Sequence, residues 1–252
     1  MRTLLLVFLL CVFVSCSEKQ AGSTVHSTKQ NWAFPYFEKI DSLNPILKPE
    51  PGFIFEDPIT SSIVHWEERN VLNPTAVVRD DRVLLFYRAQ DSAGTSRIGM
   101  AVSEDGLRFT KAAAPVFYPD KDSMKVYEWN YKKDLAPQEN SEDCYFCYFD
   151  GVEDPRIVER EDGRYFMTYT SYDGKTARLS IASSPDLQNW TKHGLVLGAD
   201  KYKDTWSKAG AIVSQQKGNR IIAKKIQGKY WMYYGDTNLY MMTSPDMITW
   251  HP

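Results

Sequence analysis

One pattern of apolar and polar positions recurs three times along the chain. Apolar-rich runs at 82–89 and 97–103, at 164–170 and 177–183, and at 229–234 and 239–243 each predict a pair of strands. Hairpin-like connections such as Asp91-Ser92-Ala93-Gly94 and Tyr172-Asp173-Gly174-Lys175 join them. Each pair ends in a polar turn and a closing aromatic: Ser103-Glu104-Asp105-Gly106-Leu107-Arg108-Phe109, Ser184-Pro185-Asp186-Leu187-Gln188-Asn189-Trp190 and Ser244-Pro245-Asp246-Met247-Ile248-Thr249-Trp250. Each is also preceded by a short strand led by polar residues, starting at Asn73-Pro74-Thr75, at Glu153-Asp154-Pro155 and at Lys208-Ala209-Gly210. Four strands per unit, with a repeated turn and aromatic, is the pattern of a β-propeller blade, and no amphipathic helix is expected to interrupt it. The first strand of each blade lines the central channel, so Asn73, Asp154 and Lys208 are expected to converge on one pocket. Three to four blades are recognisable, whereas closure takes four to eight, so the propeller is read as truncated at its C-terminus. The segment 31–69 is expected to supply closing strands or a loop over the channel.

The most distinctive of the three openings is Gly151-Val152-Glu153-Asp154-Pro155-Arg156, which follows the aromatics Tyr145, Phe146, Tyr148 and Phe149. A proline cannot donate to a strand ladder, so Pro155 is expected among the first residues of a strand, with Glu161-Asp162-Gly163 as the turn into the next one. Glu153 and Asp154 then stand at a strand start, where a rigid sheet can hold a carboxylate toward a pocket. Alternation sends neighbouring side chains to opposite faces, so one of the two is expected to meet a ligand while the other braces the strand or binds Arg156.

Composition narrows the setting. Hydrophobic residues make up 43% of the 252 positions and charged residues 25%, enough for a globular domain with a sizeable core. A net charge of -2 leaves no electrostatic footprint for nucleic acid. Aromatics reach 13%, which suits both β-sheets and flat-face stacking on sugar rings. His65 and Trp66, with Tyr127, Trp129 and Tyr131, are candidates for such a platform or for plain packing.

At the N-terminus, Arg2 followed by an apolar run from Leu4 to Val14 and by Ser15-Cys16 reads as an export signal. Phe13-Val14-Ser15-Cys16 resembles a bacterial lipobox. The expected organisation is a lipoprotein signal peptide over 1–15, lipidation at Cys16, a flexible tether over 16–30 and the incomplete propeller domain over 31–252. The protein would then sit in the bacterial cell envelope, periplasmic or surface-exposed, meeting the membrane only through its lipid. Cys144 and Cys147 form the one remaining C-x-x-C pair, and His26, His65, His193 and His251 are scattered, so no metal site is expected.

Asn73-Pro74-Thr75-Ala76, Tyr87-Arg88-Ala89, the Ser-x-Asp-Gly-x-x-Phe turn, the Gly-x-Glu-Asp-Pro-Arg stretch, Met167-Thr168-Tyr169-Thr170 and the Ser-Pro-Asp-x-x-x-Trp turns together resemble glycoside hydrolase family 130. The resemblance runs from about Asn73 to Trp250. It implies a five-bladed propeller enzyme acting on β-mannosides, either as an inverting phosphorylase or as a hydrolase. It further implies that Asp154 is the general acid, working through a hydroxyl of the bound mannose, and that Asn73 and Arg88 hold that mannose. Asp105 and Arg156 carry over as substrate-binding residues, with a structural role in turn or strand as the alternative.

Departures from the family pattern bear on which reaction is run. Its phosphorylases gather Arg, Lys and His around inorganic phosphate. Lys208 keeps one of those positions and Arg178 offers a second charge. After Gly228-Lys229-Tyr230, however, the chain reads Trp231-Met232-Tyr233-Tyr234-Gly235-Asp236, without His or Arg. A dianion needs charge-assisted donors, and an added Asp236 weakens such a site. An exported enzyme would also release its sugar phosphate outside the cell. Hydrolysis of mannose-containing oligosaccharides is therefore favoured, without a cofactor, and Asp236 is one candidate for the base. The alternatives are a mannosyl phosphorylase using inorganic phosphate as co-substrate, a related arabinan- or xylan-type enzyme, and a non-catalytic glycan-binding lipoprotein.

Overall fold

The computed structural model describes residues 39–135 and 148–252; the expected signal peptide, Cys16, the tether, and Cys144 with Cys147 lie outside the described residues. A short 3-10 turn, Asp41–Leu43, precedes the hairpin of β1 (Phe55–Asp57) and β2 (Ser62–Val64). The first of three antiparallel units follows as β3 (Asn70–Arg79), β4 (Arg82–Gln90), β5 (Thr95–Ser103) and β6 (Thr110–Lys111), each strand paired with the next. Two one-turn helices, α1 (Lys125–Glu128) and α2 (Lys132–Leu135), come before the second unit. That unit comprises β7 (Asp150–Glu159), β8 (Tyr165–Tyr172), β9 (Ala177–Ser184) and β10 (Thr191–Leu195), again paired in order. In the third unit, β11 (Ala211–Ile212) is followed by an inserted hairpin, β12 (Ser214–Lys217) with β13 (Arg220–Ala223). Then β14 (Tyr230–Gly235) pairs with β11 and with β15 (Leu239–Ser244), and a Thr243–His251 bridge closes the unit.

The all-β expectation holds, and the four-strand repeat is present in the first two units, with three strands and a bridge in the third; the paired strands end within two residues of those predicted, whereas β3 and β7 begin three residues earlier and β11 three residues later than expected. Three units form among the described residues, and these units do not close a ring. Two features depart from the sequence reading. The helices α1 and α2 interrupt the strands, held by Tyr169 donating to Glu128 and by Lys133 and the Asn130 N–H on the buried Asp150. The β12–β13 hairpin was not foreseen, and its β13 lies parallel to β7 through Ile222 and Glu159.

Packing explains why the central strands are apolar without alternation. Phe166 of β8 packs with Leu179 and Ile181 against Met232 and Met242 of the third unit, while Tyr165, Met167 and Tyr169 pack on the other side with Phe86 and Ile98 of the first unit and with Phe117. Strands covered on both faces bury every side chain, and each such Phe or Met contributes about 1.5–3 kcal/mol. A third layer seats Tyr87, Ala89 and Ala101 against Trp66 and the β1–β2 side of the molecule. Trp66 is fully buried, with its indole N–H on the Ala113 carbonyl, so it is a packing residue and not a platform.

The repeated turn is one hydrogen-bonded device used three times. In each copy the serine hydroxyl donates to the aspartate and accepts the N–H three residues on, as in Ser103, Ser184 and Ser244 at 2.8 Å. Gly106, Leu187 and Met247 follow with φ of 71, 67 and 71°. Leu187 and Met247 are wholly buried, and that burial offsets the left-handed backbone that a glycine accepts freely.

Pro155 does not begin a strand. β7 starts at Asp150, and Asp154-Pro155 form a bulge where the register to β8 slips between Glu153 and Arg156. The ladder is already broken there, so the missing proline N–H goes unmissed. Asn73-Pro74 does the same in β3, between Leu72 and Thr75. Gly151 lets the two units meet: it pairs in parallel with Ser96 at φ 112°, and a Cβ there would collide with the Ser96 backbone. Gly151→Ala is therefore predicted to destabilise the protein by on the order of 3 kcal/mol, measured by denaturant unfolding; an unchanged midpoint would show that the units do not depend on this contact.

Candidate active site

The bulges aim side chains that a regular strand would turn aside. Asn73 (φ 46°) and Asp154 (φ 53°) are both left-handed, and each belongs to a residue type that tolerates this conformation best among non-glycines. Their side chains meet across the two units: the Asn73 amide Nδ2 donates to Asp154 Oδ1 at 2.6 Å. Arg88, opposite Leu72 on β4, reaches the same place. One guanidinium nitrogen lies 2.6 Å from Glu153 Oε1, another lies 3.8 Å from Asp154 Oδ1, and Nε donates to Ser96 Oγ at 3.0 Å. Ser96 Oγ in turn donates to Glu153 Oε1 at 3.3 Å. Glu153 thus binds Arg88 and not Arg156, the alternative drawn from the sequence.

The two adjacent carboxylates sit in different environments. The side chain of Glu153 is 12% exposed and hemmed in by Arg88 and Ser96, whereas that of Asp154 is 25% exposed. Burial pushes the Glu153 carboxyl up to about 7, against the pull of Arg88 and with the neighbouring Asp154 charge adding to the rise.

The remaining candidates are distributed as follows. Arg156 is exposed on β7 opposite Thr168, and its side chain makes no hydrogen bond or salt bridge among the described residues. Asp105 stays out of the cluster: it lies in the turn after Ser103, at the end of the first unit remote from Arg88 and Ser96. The N–H groups of Arg108 and Leu107 and the Ser103 hydroxyl hold its carboxyl well below the usual range, so it is a turn residue like Asp186 and Asp246. Arg178 is buried, with one guanidinium nitrogen on Asp173 at 2.7 Å, another on Asp204 at 2.9 Å, and Nε donating to the Lys203 carbonyl at 2.6 Å. Lys208 Nζ lies 3.7 Å from Asp236 Oδ2. Among the described residues, no three His, Cys, Asp or Glu side chains gather to hold a metal ion.

Lys208 also needs a correction of phase. Arg156 pairs with Thr168, Thr75 with Phe86 and Ala211 with Tyr233, so the left-handed positions Asn73, Asp154 and Ala209 (φ 56°) are equivalent. Lys208 therefore matches Glu153 and Leu72, and the third unit offers only a methyl group where the others offer an amide and a carboxylate.

A family model described as beta-1,4-mannooligosaccharide phosphorylase matches residues 38–252. The chain belongs to glycoside hydrolase family 130. It is 30% identical over 195 residues to a beta-1,2-mannobiose phosphorylase of Thermoanaerobacter sp. (strain X514), covering 70% of this chain and 51% of that protein. A 1,2-beta-oligomannan phosphorylase of the same strain is 27% identical, over 74% of this chain and 53% of its own. Among solved structures, a glycosyl hydrolase from Bacteroides ovatus superposes with a TM-score of 0.77 at 35% identity, over 87% of this chain and 58% of that one. Another superposes at 0.78 with 36% identity over 88% and 59%; it is described by the statement that the GH130 family of mannoside phosphorylases contains glycoside hydrolases targeting beta-1,2 mannosidic linkages in Candida mannan. The chain spans about half the length of the curated relatives it matches, 51% and 53%.

Within this family 130 chain, sequence reasoning missed Ser96 and the use of Glu153. Ser96 sits in an apolar strand without any motif, and the one pointer to it was Gly151, whose missing side chain implies a close neighbour. Glu153 yields a pH prediction. In the unfolded chain it titrates near its ordinary 4.5, so the folded state keeps a proton that the unfolded state gives up between 4.5 and about 7. Its share of stability, on the order of 3 kcal/mol, is present below that window and lost as pH rises through it. Glu153→Gln cannot ionise, so its melting temperature relative to wild type is predicted to rise from about pH 5 to about pH 8. Thermal unfolding of both proteins checks this, and a pH-independent difference would contradict it.

Proposed function

We propose that this chain belongs to a β-mannoside hydrolase that cleaves β-1,2-mannosidic bonds with inversion, using Asp154 as the proton donor. The observation that carries hydrolysis over phosphorolysis is the state of the two cations nominated for phosphate. Arg178 is spent on Asp173 and Asp204, and Lys208 faces Asp236. A phosphate dianion would have to displace carboxylates from both, whereas water asks for neither cation. The β-1,2 linkage follows the names of the curated relatives and of the hydrolase-containing structural neighbour.

In an inverting reaction one carboxylic acid protonates the leaving oxygen while water attacks from the opposite face of the ring. Asp154 is the more open of the adjacent acids, and Asn73 fixes its orientation. In its protonated form it passes its proton through a hydroxyl of the bound mannose to the glycosidic oxygen as that bond breaks. Arg88, braced by Glu153 and Ser96, supplies donors to the sugar. The attacking water forms the new bond to the anomeric carbon and yields its proton to a base. We further propose a five-bladed propeller for the whole protein and, from the leader over 1–15 followed by Cys16, a lipid-anchored envelope location where a hydrolase loses nothing by releasing free mannose.

The curated relatives are named as phosphorylases, so the decisive test is incubation of β-1,2-mannobiose with and without inorganic phosphate. Free mannose at an equal rate in both is expected; mannose 1-phosphate formed only when phosphate is present would overturn the reading. Asp154→Asn is predicted to lower kcat by about 10²–10⁴-fold at unchanged thermal stability, and retained turnover would remove Asp154 as the acid.

A further inference from the structure

A second concave surface lies at the same end of the units as Asp154. The β14–β15 connection leaves Gly235 opposite Leu239, and Gly235 occupies the register position of Arg88 and Thr170. Facing it is the segment 199–206, pinned down by Arg178 on the Lys203 carbonyl and on Asp204. Between them is a cleft of about 760 Å³, within the range of small-ligand sites. Its walls carry Trp206, Tyr202 and Tyr240 together with Asp236, Asn238 and Lys201.

The chemistry of these walls is mixed. Trp206 is 49% exposed and Tyr240 53% exposed, a large apolar area to leave in water. Both rings are nonetheless held from behind: Trp206 edge-on to Tyr172, with ring centres 6.3 Å apart, and Tyr240 against Tyr234 at 5.5 Å. Rigid aromatic faces flanked by a carboxylate, an amide and an ammonium match a sugar ring, which offers apolar C–H faces and an equatorial rim of hydroxyls. The cleft is also close to the catalytic cluster. Tyr172 ends β8 two residues beyond Thr170, which opposes Glu153, a separation of about 7 Å along the strand.

We infer that this cleft is a distal subsite that binds further mannosyl units of a β-mannooligosaccharide, with Trp206 and Tyr240 as its stacking surfaces. The inference rests on the mannosidase reading above. It predicts a preference for chains longer than the disaccharide, generated by residues that never touch the cleaved bond.

The test compares β-1,2-mannobiose with β-1,2-mannotetraose. Trp206→Ala is expected to lower kcat/KM for the tetraose by about tenfold while leaving the disaccharide within about twofold, and Trp206→Phe is expected to retain most of the tetraose rate. Equal losses on both substrates, or no loss on either, would overturn the inference. Should Trp206→Ala unfold, Tyr240→Ala on the facing wall carries the same comparison. A binding readout separates this claim from the catalytic one: tetraose should quench tryptophan fluorescence in Asp154→Asn and fail to do so once Trp206→Ala is added. Binding without turnover in wild type would sink the hydrolase reading and keep the subsite, whereas absence of tetraose binding in Asp154→Asn would sink the subsite.

Discussion

The hydrogen bond from Asn73 to Asp154 is the contact on which the rest of the site depends. It joins two residues that each sit in a left-handed backbone at a β-bulge, on the first strands of neighbouring units. Such a conformation costs about 1–3 kcal/mol for a non-glycine residue and persists only where the surroundings over-determine it. The surroundings here are two long hairpins on either side of each bulge, and a proline after each strained residue that asks nothing of the interrupted ladder. Asn and Asp keep the strain at the low end of that range.

Arg88 then turns a pair into a site. Its guanidinium is shared between Glu153, Ser96 and Asp154, so the buried acid immobilises the cation and the more exposed acid keeps its open side. Glu153 and Asp154 are adjacent in sequence yet differ in environment, one buried against Arg88 and Ser96 and the other more open. This arrangement needs the first two units at a fixed separation. The shared layer of Phe86, Ile98, Phe117, Met167 and Tyr169 and the tight approach of Gly151 to Ser96 supply that spacing.

What could be read from the sequence was what is local. Hairpins announced themselves through Asp and Gly between apolar runs, and the Ser-x-Asp turns through spacing alone, since serine, aspartate and four backbone N–H groups complete the device within six residues. Asp154, Asn73 and Arg88 were legible as members of a motif series. What stayed hidden is set by register or by distant partners. A bulge adds a residue and shifts the phase by one, which is why Lys208 reads as the counterpart of Asp154 when Ala209 holds that position. The partners of Arg178 lie 5 and 26 residues away, and the second becomes visible only once the segment 199–206 folds back. Ser214-Gln215-Gln216-Lys217 carries no apolar alternation, so its strand leaves no trace in the pattern.

The central claim is that the two bulges act as one catalytic unit, and a double-mutant cycle on β-1,2-mannobiose turnover tests it most directly. With Asn73→Ala, Asp154→Asn and the double variant all folded, the account predicts that the double variant falls no more than about twofold below Asp154→Asn alone, because the amide works only through the carboxyl it orients. Losses that multiply in full would show Asn73 and Asp154 acting independently and would contradict the account.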